Sequence, residues 1–549
     1  MSREARRGIV RIFCNYARLF STLLLGLALV PLMIAWLGDD AYGLTALLGA
    51  NIGLANVFRQ IMQQSLVREL AAAYHAGDEA LTRAYPAIFR ISAAAAVMTF
   101  GAFLLMAFLL PVFNMPARFR EAAFWLLIAQ GTQSSYMVFL SPVLNMYQVT
   151  ERFVGFSVWF VGVRATSVTS VIVFGYLVGI ENAATGIICY TVLSASLTIL
   201  IYTIAVVRMV LSDRRLMPTL RKPQPGAVRE VMGTFSWNSG VQIAMNAHEQ
   251  VPPLMLNLFF GTTANAAWAL GFKLVAYIRM ITTGMQFGSD AVSARMASQA
   301  DPETARRNLQ NLTAIQTRLT GLISLPAAAG VLLYCYPALH LWVGHTLEDY
   351  EHVMGMGVVI ARVLAVAIAA RAISDTWILV LYGAGHIRSY APLIIAGGLV
   401  APLISVALLT TLPDRWAFTG PALAFTTVFL TAHLIGVPLV AARRLHLSPW
   451  VLMASVLRPL AVTLLASAVG LGVLAAGHRL GDLSLLSAPT EELGRSIDPR
   501  WMLGSIAAFG VAYAPLSYMF VLGPGERKRI GSIIGAVARR IPGVRRLAA

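Results

Sequence analysis

The chain has 549 residues, of which 58% are hydrophobic and only 12% charged, with a mean hydropathy of +0.70. Soluble domains carry roughly 25% charged residues, so this composition excludes a soluble enzyme and indicates an all-α polytopic membrane protein. The net charge of +17 has its simplest destination in cytoplasmic loops, not on nucleic acid.

A run of about 20 apolar residues spans a bilayer, and about fourteen such runs follow one another here. They predict helices near 12–37, 42–66, 85–113, 121–146, 153–178, 184–208, 231–259, 263–289, 314–339, 353–382, 389–412, 418–441, 451–477 and 500–522. Arg3, Arg6, Arg7 and Arg11 precede the first run as in a signal peptide, but the run is long and lacks a small-residue cleavage site, so it reads as a retained helix. With the N-terminus inside, the inner loops hold Arg83, Arg152, the series from Arg208 to Arg229, Arg306, Arg307, Arg388, Arg443 and Arg444. Outer loops hold Asp39, Asp40, Glu181, Asp349, Asp414 and Glu491. This alternation satisfies the positive-inside rule and places both termini in the cytoplasm. Cys14, Cys189 and Cys335 fall in separate helices without metal-binding or disulfide spacing.

An internal repeat sets the architecture. "PLMIAWLGDDAYGLTALLG" (31–49) aligns with "PLMLNLFFGTTANAAWALG" (253–271), and "AGDEALTR" (76–83) with "ADPETARR" (300–307). Two six-helix units share one orientation because six is even, giving a parallel repeat around a central cavity, plus two extra C-terminal helices. The expected organisation is an N-lobe at 1–208, a basic linker at 209–230, a C-lobe at 231–445, helices 13 and 14 within 446–522, and a tail at 523–549. In the tail, Ile530, Ile533, Ile534, Val537 and Ile541 at helical spacing beside Arg527, Lys528, Arg529, Arg539 and Arg540 suit a helix lying on anionic lipid; a solvated basic tail is the alternative.

The opening "NYARLFSTLLLGLALVPLMIAWLGDDAYGL", with "LVREL" (66–70), "TERF" (150–153), "GTTANAAWALGFKL" (261–274) and "LHLWVG" (339–344), resembles the multidrug/oligosaccharidyl-lipid/polysaccharide exporter superfamily. Within it the sequence is similar to the O-antigen and exopolysaccharide repeat-unit flippases. That resemblance implies a transporter, not an enzyme, in the bacterial inner membrane. It would carry a polyprenyl-diphosphate-linked oligosaccharide to the periplasmic leaflet, alongside other polysaccharide assembly proteins, with no cofactor beyond a coupling ion, H+ or Na+. Members with fourteen helices include the peptidoglycan-precursor flippases, a parallel here of helix count alone.

Ionisable residues at membrane depth mark function unless they face a partner or snorkel. Arg18, Arg59, Arg90, Arg164, Glu249, Lys273, Arg279, Arg362, Arg371 and Asp375 lie inside predicted helices. The cationic excess suits a diphosphate, because guanidinium forks bind phosphate oxygens bidentately. Arg18, Arg59, Lys273 and Arg279 are the expected headgroup set, with snorkelling to lipid phosphates as the alternative for Arg18, Arg90 and Arg164. Arg371 and Asp375, four apart on one helix, form a structural ion pair or a gate.

In "WNSGVQIAMNAHEQVPPLM" (237–255), Asn238, Gln242, Asn246 and Glu249 recur at helical spacing as a polar stripe towards the cavity, and Pro252 and Pro253 bend the helix. Glu249 is the expected ion-coupling carboxyl, the alternative being a protonated core residue; His248 points about 100° away. Tyr136, Tyr147, Trp237 and Trp268 are candidates to stack on sugar rings or to anchor at the interface. No catalytic or metal site emerges. The rival readings are a multidrug exporter of the same superfamily, disfavoured by cavity cations, a polysaccharide polymerase or ligase, disfavoured by short outer loops, and a scaffold acting through the tail.

Overall fold

The computed structural model describes residues 3–55, 61, 70, 73–74, 77–150, 152–286, 289–297, 299, 301–347, 349–477 and 499–527. Arg59, the outer loop at 478–498 and tail residues 528–549 lie outside the described residues. Those described are almost entirely helical, and ten helices are both long and apolar enough to cross a bilayer.

Among the described residues, helices occupy the predicted stretches; of 42–66, residues 42–55 and 61 are described. The first half comprises α1 (Arg3–Leu37), α2 (Asp39–Ala55), α3 (Asp78–Phe108), α4 (Arg120–Val149), α5 (Phe153–Val171) and α6 (Ala183–Ser212). The helical run Ala227–Gln286 is broken at Gly261, giving α7 before the break and α8 after it. There follow α9 (Pro302–Leu339), α10 (Tyr350–Gly383), α11 (Ile387–Thr411), α12 (Gly420–Arg444), α13 (Pro449–Gly477) and α14 (Pro499–Phe520). Three one-to-two-turn π-helical segments, Ile172–Leu177, His340–Gly344 and Phe429–Gly436, lie at the end of α5, after α9 and within α12.

Two glycines make the repeat visible in the backbone. Gly38 (φ 82°) turns α1 into α2 and Gly261 (φ 78°) turns α7 into α8, with no intervening loop. A positive φ at such a turn is cheap only without a Cβ. The two turns correspond one residue away from the ungapped sequence match, which sets Gly38 opposite Phe260.

Within the first half, α1 packs on α5, α5 on α6, α6 on α4 and α4 on α3. In the second, α10 packs on α9 and on the α7–α8 run, and α11 on that run and α12. The halves meet where α2 crosses α8. A Cβ at Gly43 would stand 2.1 Å from the Thr262 carbonyl oxygen, so only glycine permits this approach.

Loops of like sign gather on like faces. On the acidic face, the Asp39 carboxylate accepts from the Asp349 N–H (2.9 Å), which opens α10, and Asp40 accepts from the Thr262 hydroxyl (3.1 Å). Asn257 there exchanges two hydrogen bonds with the Asn114 backbone, at 3.0 and 2.9 Å. On the basic face, Arg215 pairs with Asp78, and Gln310 donates to the carbonyls of Leu445 and His446. Each link joins loops that the charge alternation assigns to one side.

Prolines inside helices free the carbonyl four residues earlier, which must find a donor in hydrocarbon. Pro31 frees Leu27, whose oxygen accepts from Trp342 Nε1 at 2.7 Å, across the halves. Pro326 frees Leu322, whose oxygen accepts from the Tyr513 hydroxyl at 2.7 Å, tying α14 to α9. Tyr334 of α9 also meets Ser505 of α14 at 2.6 Å, and Ser505 reaches the Gly470 carbonyl of α13. Helices α13 and α14 are thus fastened through α9 to the second half.

Tyr513→Phe is expected to cost about 0.6–2 kcal/mol, the range for hydrogen bonds between membrane helices, read by thermal unfolding in detergent. Adding Pro326→Ala restores an N–H to the Leu322 carbonyl and should recover most of that loss. Equal costs of Tyr513→Phe with Pro or Ala at 326 would refute the pairing.

Candidate functional site

Four charged side chains from three helices form one network in the second half. Glu249 (α7) accepts from Arg279 (α8) at 3.1 Å and from Arg371 (α10). Asp375 (α10) accepts from Arg279 at 3.2 Å and lies 4.0 Å from Arg371. The quartet is formally neutral, as a low-dielectric site requires. Its members differ in access: the Arg371 side chain is 3% exposed and that of Arg279 36%. Helix hairpin geometry explains the meeting, since α7 and α8 run antiparallel from Gly261.

An aromatic wall backs the network. The Arg371 guanidinium lies 5.2 Å from the Phe429 ring centroid, and His248 is wedged against Phe425 (4.7 Å) and Phe429 (4.5 Å). His433 stacks obliquely on Phe429 and meets the Ser374 hydroxyl at 3.2 Å. Phe429 and His433 belong to the π-helical segment of α12, a geometry that recurs at functional sites. Pro252 and Pro253 stay within the helix and withdraw the N–H groups that would meet the His248 and Glu249 carbonyls. The sharp break comes at Gly261 instead.

Between the halves lies a cavity of about 380 Å³. The first half contributes Met33, Tyr42, Thr45 and Tyr190; the second contributes Glu249, Gln250, Trp268 and Lys273. Glu249 and Lys273 stand equally far in sequence from Gly261, each about 18 Å along its helix, and so reach one depth.

Lys273 differs from the quartet in kind. Among the described residues it forms no ion pair, and Gly26 of α1 makes room for it: a Cβ there would lie 3.6 Å from Lys273 Cε and 3.2 Å from the Tyr277 hydroxyl. That hydroxyl, one helical turn from Lys273, is buried without a hydrogen-bond partner among the described residues. Arg164 of α5 is exposed at mid-helix, within electrostatic range of both Lys273 and Tyr190, and pairs with no carboxylate among the described residues. Lys273 thus reaches the cavity, with the Tyr277 hydroxyl one turn along its helix and Arg164 within electrostatic range.

The expected headgroup residues have separate fates. Lys273 lines the cavity, Arg279 is held by Glu249 and Asp375, and Arg59 lies outside the described residues. The Arg18 guanidinium rests against Phe156 and Phe160, 5.1 and 5.0 Å from their ring centroids. The predicted Arg371 and Asp375 pair exists as one edge of the larger network. Asn246 is buried, and Glu249 with Gln250 supplies the polar face that reaches the cavity. Of the aromatic candidates, Trp268 lines the cavity, while the hydroxyls of Tyr136 and Tyr147 bond to Thr203 and the Ala205 carbonyl of α6. Sequence reasoning passed over Tyr277, although its place four residues after Lys273 was a signal, and left Arg164 open between cavity and interface. Among the described residues there is no cluster of three or more metal-ligating side chains.

The sequence matches no protein-family model and no curated protein. Solved structures do resemble it. The lipid II flippase MurJ in an inward closed conformation is similar over 93% of this chain and 98% of its own, with a TM-score of 0.61 and 12% identity. An inward-facing multidrug resistance MATE family transporter of the MOP superfamily matches 79% of this chain and 98% of its own, at a TM-score of 0.56 and 14% identity. A MOP superfamily transporter from Pyrococcus furiosus, noted for the reverse polarity of its binding pocket, matches 80% of this chain and 95% of its own, at 0.51 and 15%. At such identities the likeness establishes the fold, the one these transporter structures share.

Arg371→Gln removes one partner of a buried pair and should destabilise the protein by about 3–5 kcal/mol. Lys273→Gln should leave stability within about 0.5 kcal/mol of wild type. Thermal midpoints in detergent decide, and a loss at Lys273→Gln as large as at Arg371→Gln would mean that Lys273 is a structural residue.

Proposed function

We propose that this protein is a flippase that moves a polyprenyl-diphosphate-linked oligosaccharide across the bacterial inner membrane, from the cytoplasmic to the periplasmic leaflet, for surface polysaccharide synthesis. The observation that carries this reading is the charge of the cavity: Lys273 lines it with no carboxylate partner among the described residues and Arg164 adds positive charge within electrostatic range of Lys273, whereas Glu249 is already neutralised. An anion of diphosphate type gains charge-assisted bonds there; an organic cation meets repulsion. The match of MurJ over more of the chain than the multidrug transporters supports a lipid-linked substrate, as do α13 and α14, which lie beyond the twelve-helix repeat.

The basic face is taken as cytoplasmic. In the present state the halves are joined on the acidic face by the contacts of Asp39, Asp40, Gly43, Asn114 and Trp342. Outward release requires those contacts to part, and the inward and outward states alternate about the cavity.

The quartet supplies a route to ion coupling. Arg279, the more exposed guanidinium, can turn from Asp375 to a substrate phosphate at the cost of one pair. Asp375 then keeps only its 4.0 Å contact with Arg371, and a proton or Na+ restores neutrality at the Glu249 and Asp375 carboxylates. Anion arrival and cation uptake are thereby linked through charge balance.

A charge-assisted bond is worth about 1.5–3 kcal/mol, so Lys273→Ala and Arg164→Ala should each lower transport at least tenfold. The measurement is the pool of lipid-linked oligosaccharide in cells with wild type, no protein or each variant. Accumulation on the cytoplasmic side, with loss of surface polysaccharide, is expected. An unchanged pool with altered tolerance of cationic drugs would replace this reading by a multidrug exporter.

A further inference from the structure

The linker between the halves is a built surface, and its chemistry is distinct from that of the cavity. Between α6 and α7 the chain runs without a long helix, yet it is pinned at three points. The Tyr85 hydroxyl donates to the Leu216 carbonyl at 2.7 Å, Arg90 reaches the Leu220 carbonyl at 3.4 Å, and Arg215 clamps both Asp78 and Asp213. Hydrogen bonding from Arg215 holds the Asp213 carboxyl below its ordinary range, so the clamp is ionised at neutral pH. Leu216 is fully buried beneath.

What the clamp leaves facing outward is mainly cationic and apolar, with Gln224 as an exposed neutral polar side chain among them. Arg214, Arg221, Lys222 and Arg229 are exposed and pair with no carboxylate among the described residues. Interleaved with them, Met217 is 66% and Leu220 57% exposed. Apolar side chains held out at the end of a membrane helix between unpaired cations match the boundary of a leaflet, where acyl chains and phosphates lie within one side-chain length.

We propose that Asp213 to Arg229 is a docking surface for anionic phospholipid headgroups on the basic face, with Met217 and Leu220 inserted at the acyl boundary. The occupant is bulk anionic lipid of the leaflet. Charge complementarity selects it, and the fixed backbone presents the cations together instead of leaving them to a loose loop. As this segment is the covalent link between the halves, lipid bound there tethers the link to the leaflet.

The test is amide hydrogen exchange of the linker in vesicles of phosphatidylcholine alone and with about one-third phosphatidylglycerol. Exchange at 214–222 should slow about tenfold in the anionic vesicles, through attraction of several cations to the surface. About 0.5 M salt should reverse the effect, and the triple variant R214Q/R221Q/K222Q should abolish it while keeping the thermal midpoint of wild type. Inorganic phosphate in neutral vesicles should give no protection. Equal exchange in both vesicle types overturns the proposal. So does protection by inorganic phosphate alone, or by a trace of polyprenyl diphosphate in neutral vesicles, which would make the linker a phosphate or substrate site.

Discussion

A polar group in hydrocarbon must find its partner inside the protein, and the placement of nearly every informative residue follows from that constraint. At two prolines that withdraw an N–H, a donor arrives from another part of the fold: Trp342 at the Leu27 carbonyl, Tyr513 at the Leu322 carbonyl. The prolines act as sockets that fix how α1 meets the turn after α9 and how α14 meets α9. Helix identity, helix packing and the attachment of the C-terminal pair are thereby one problem with one solution.

The same constraint divides the buried charges into two populations. Glu249, Arg279, Arg371 and Asp375 satisfy one another, and Phe429 and Phe425 close the network from the side. Lys273 is left facing the cavity, and the exposed Arg164 lies within electrostatic range of it. Charge that the protein does not neutralise is charge that a ligand can neutralise, and its sign selects the ligand. The neutral quartet, by contrast, can respond to that ligand only by exchanging partners, which needs the exposure that Arg279 has and Arg371 lacks.

Between the halves, close approach and polar contact are concentrated around one crossing. Gly43 lets α2 touch the Thr262 backbone, and Asp39 and Asp40 bond to groups of the other half on either side of the turn. On the opposite face the link is covalent, through the clamped linker. A molecule closed by separable hydrogen bonds on one face and tethered by a chain on the other is suited to rocking.

By itself the sequence determined the helical class and where the described long helices run, because both depend on hydropathy and spacing along the chain. It also put Glu249, Lys273, Arg279, Arg371 and Asp375 inside predicted helices, and all five lie in helices of the structure. Only the tertiary structure decided which of these neutralise one another. The i, i+4 spacing made the edge between Arg371 and Asp375 visible, but the bonds from Arg279 and Arg371 to Glu249 depend on the rotation and separation of three helices. The same holds for the pairing of Gly38 with Gly261, which is one residue off the sequence alignment since a turn is defined by its φ angle and not by its neighbours' identity. Burial cost is local to a residue and legible in a string of letters; compensation of that cost is a property of distances, and distances exist only in the fold.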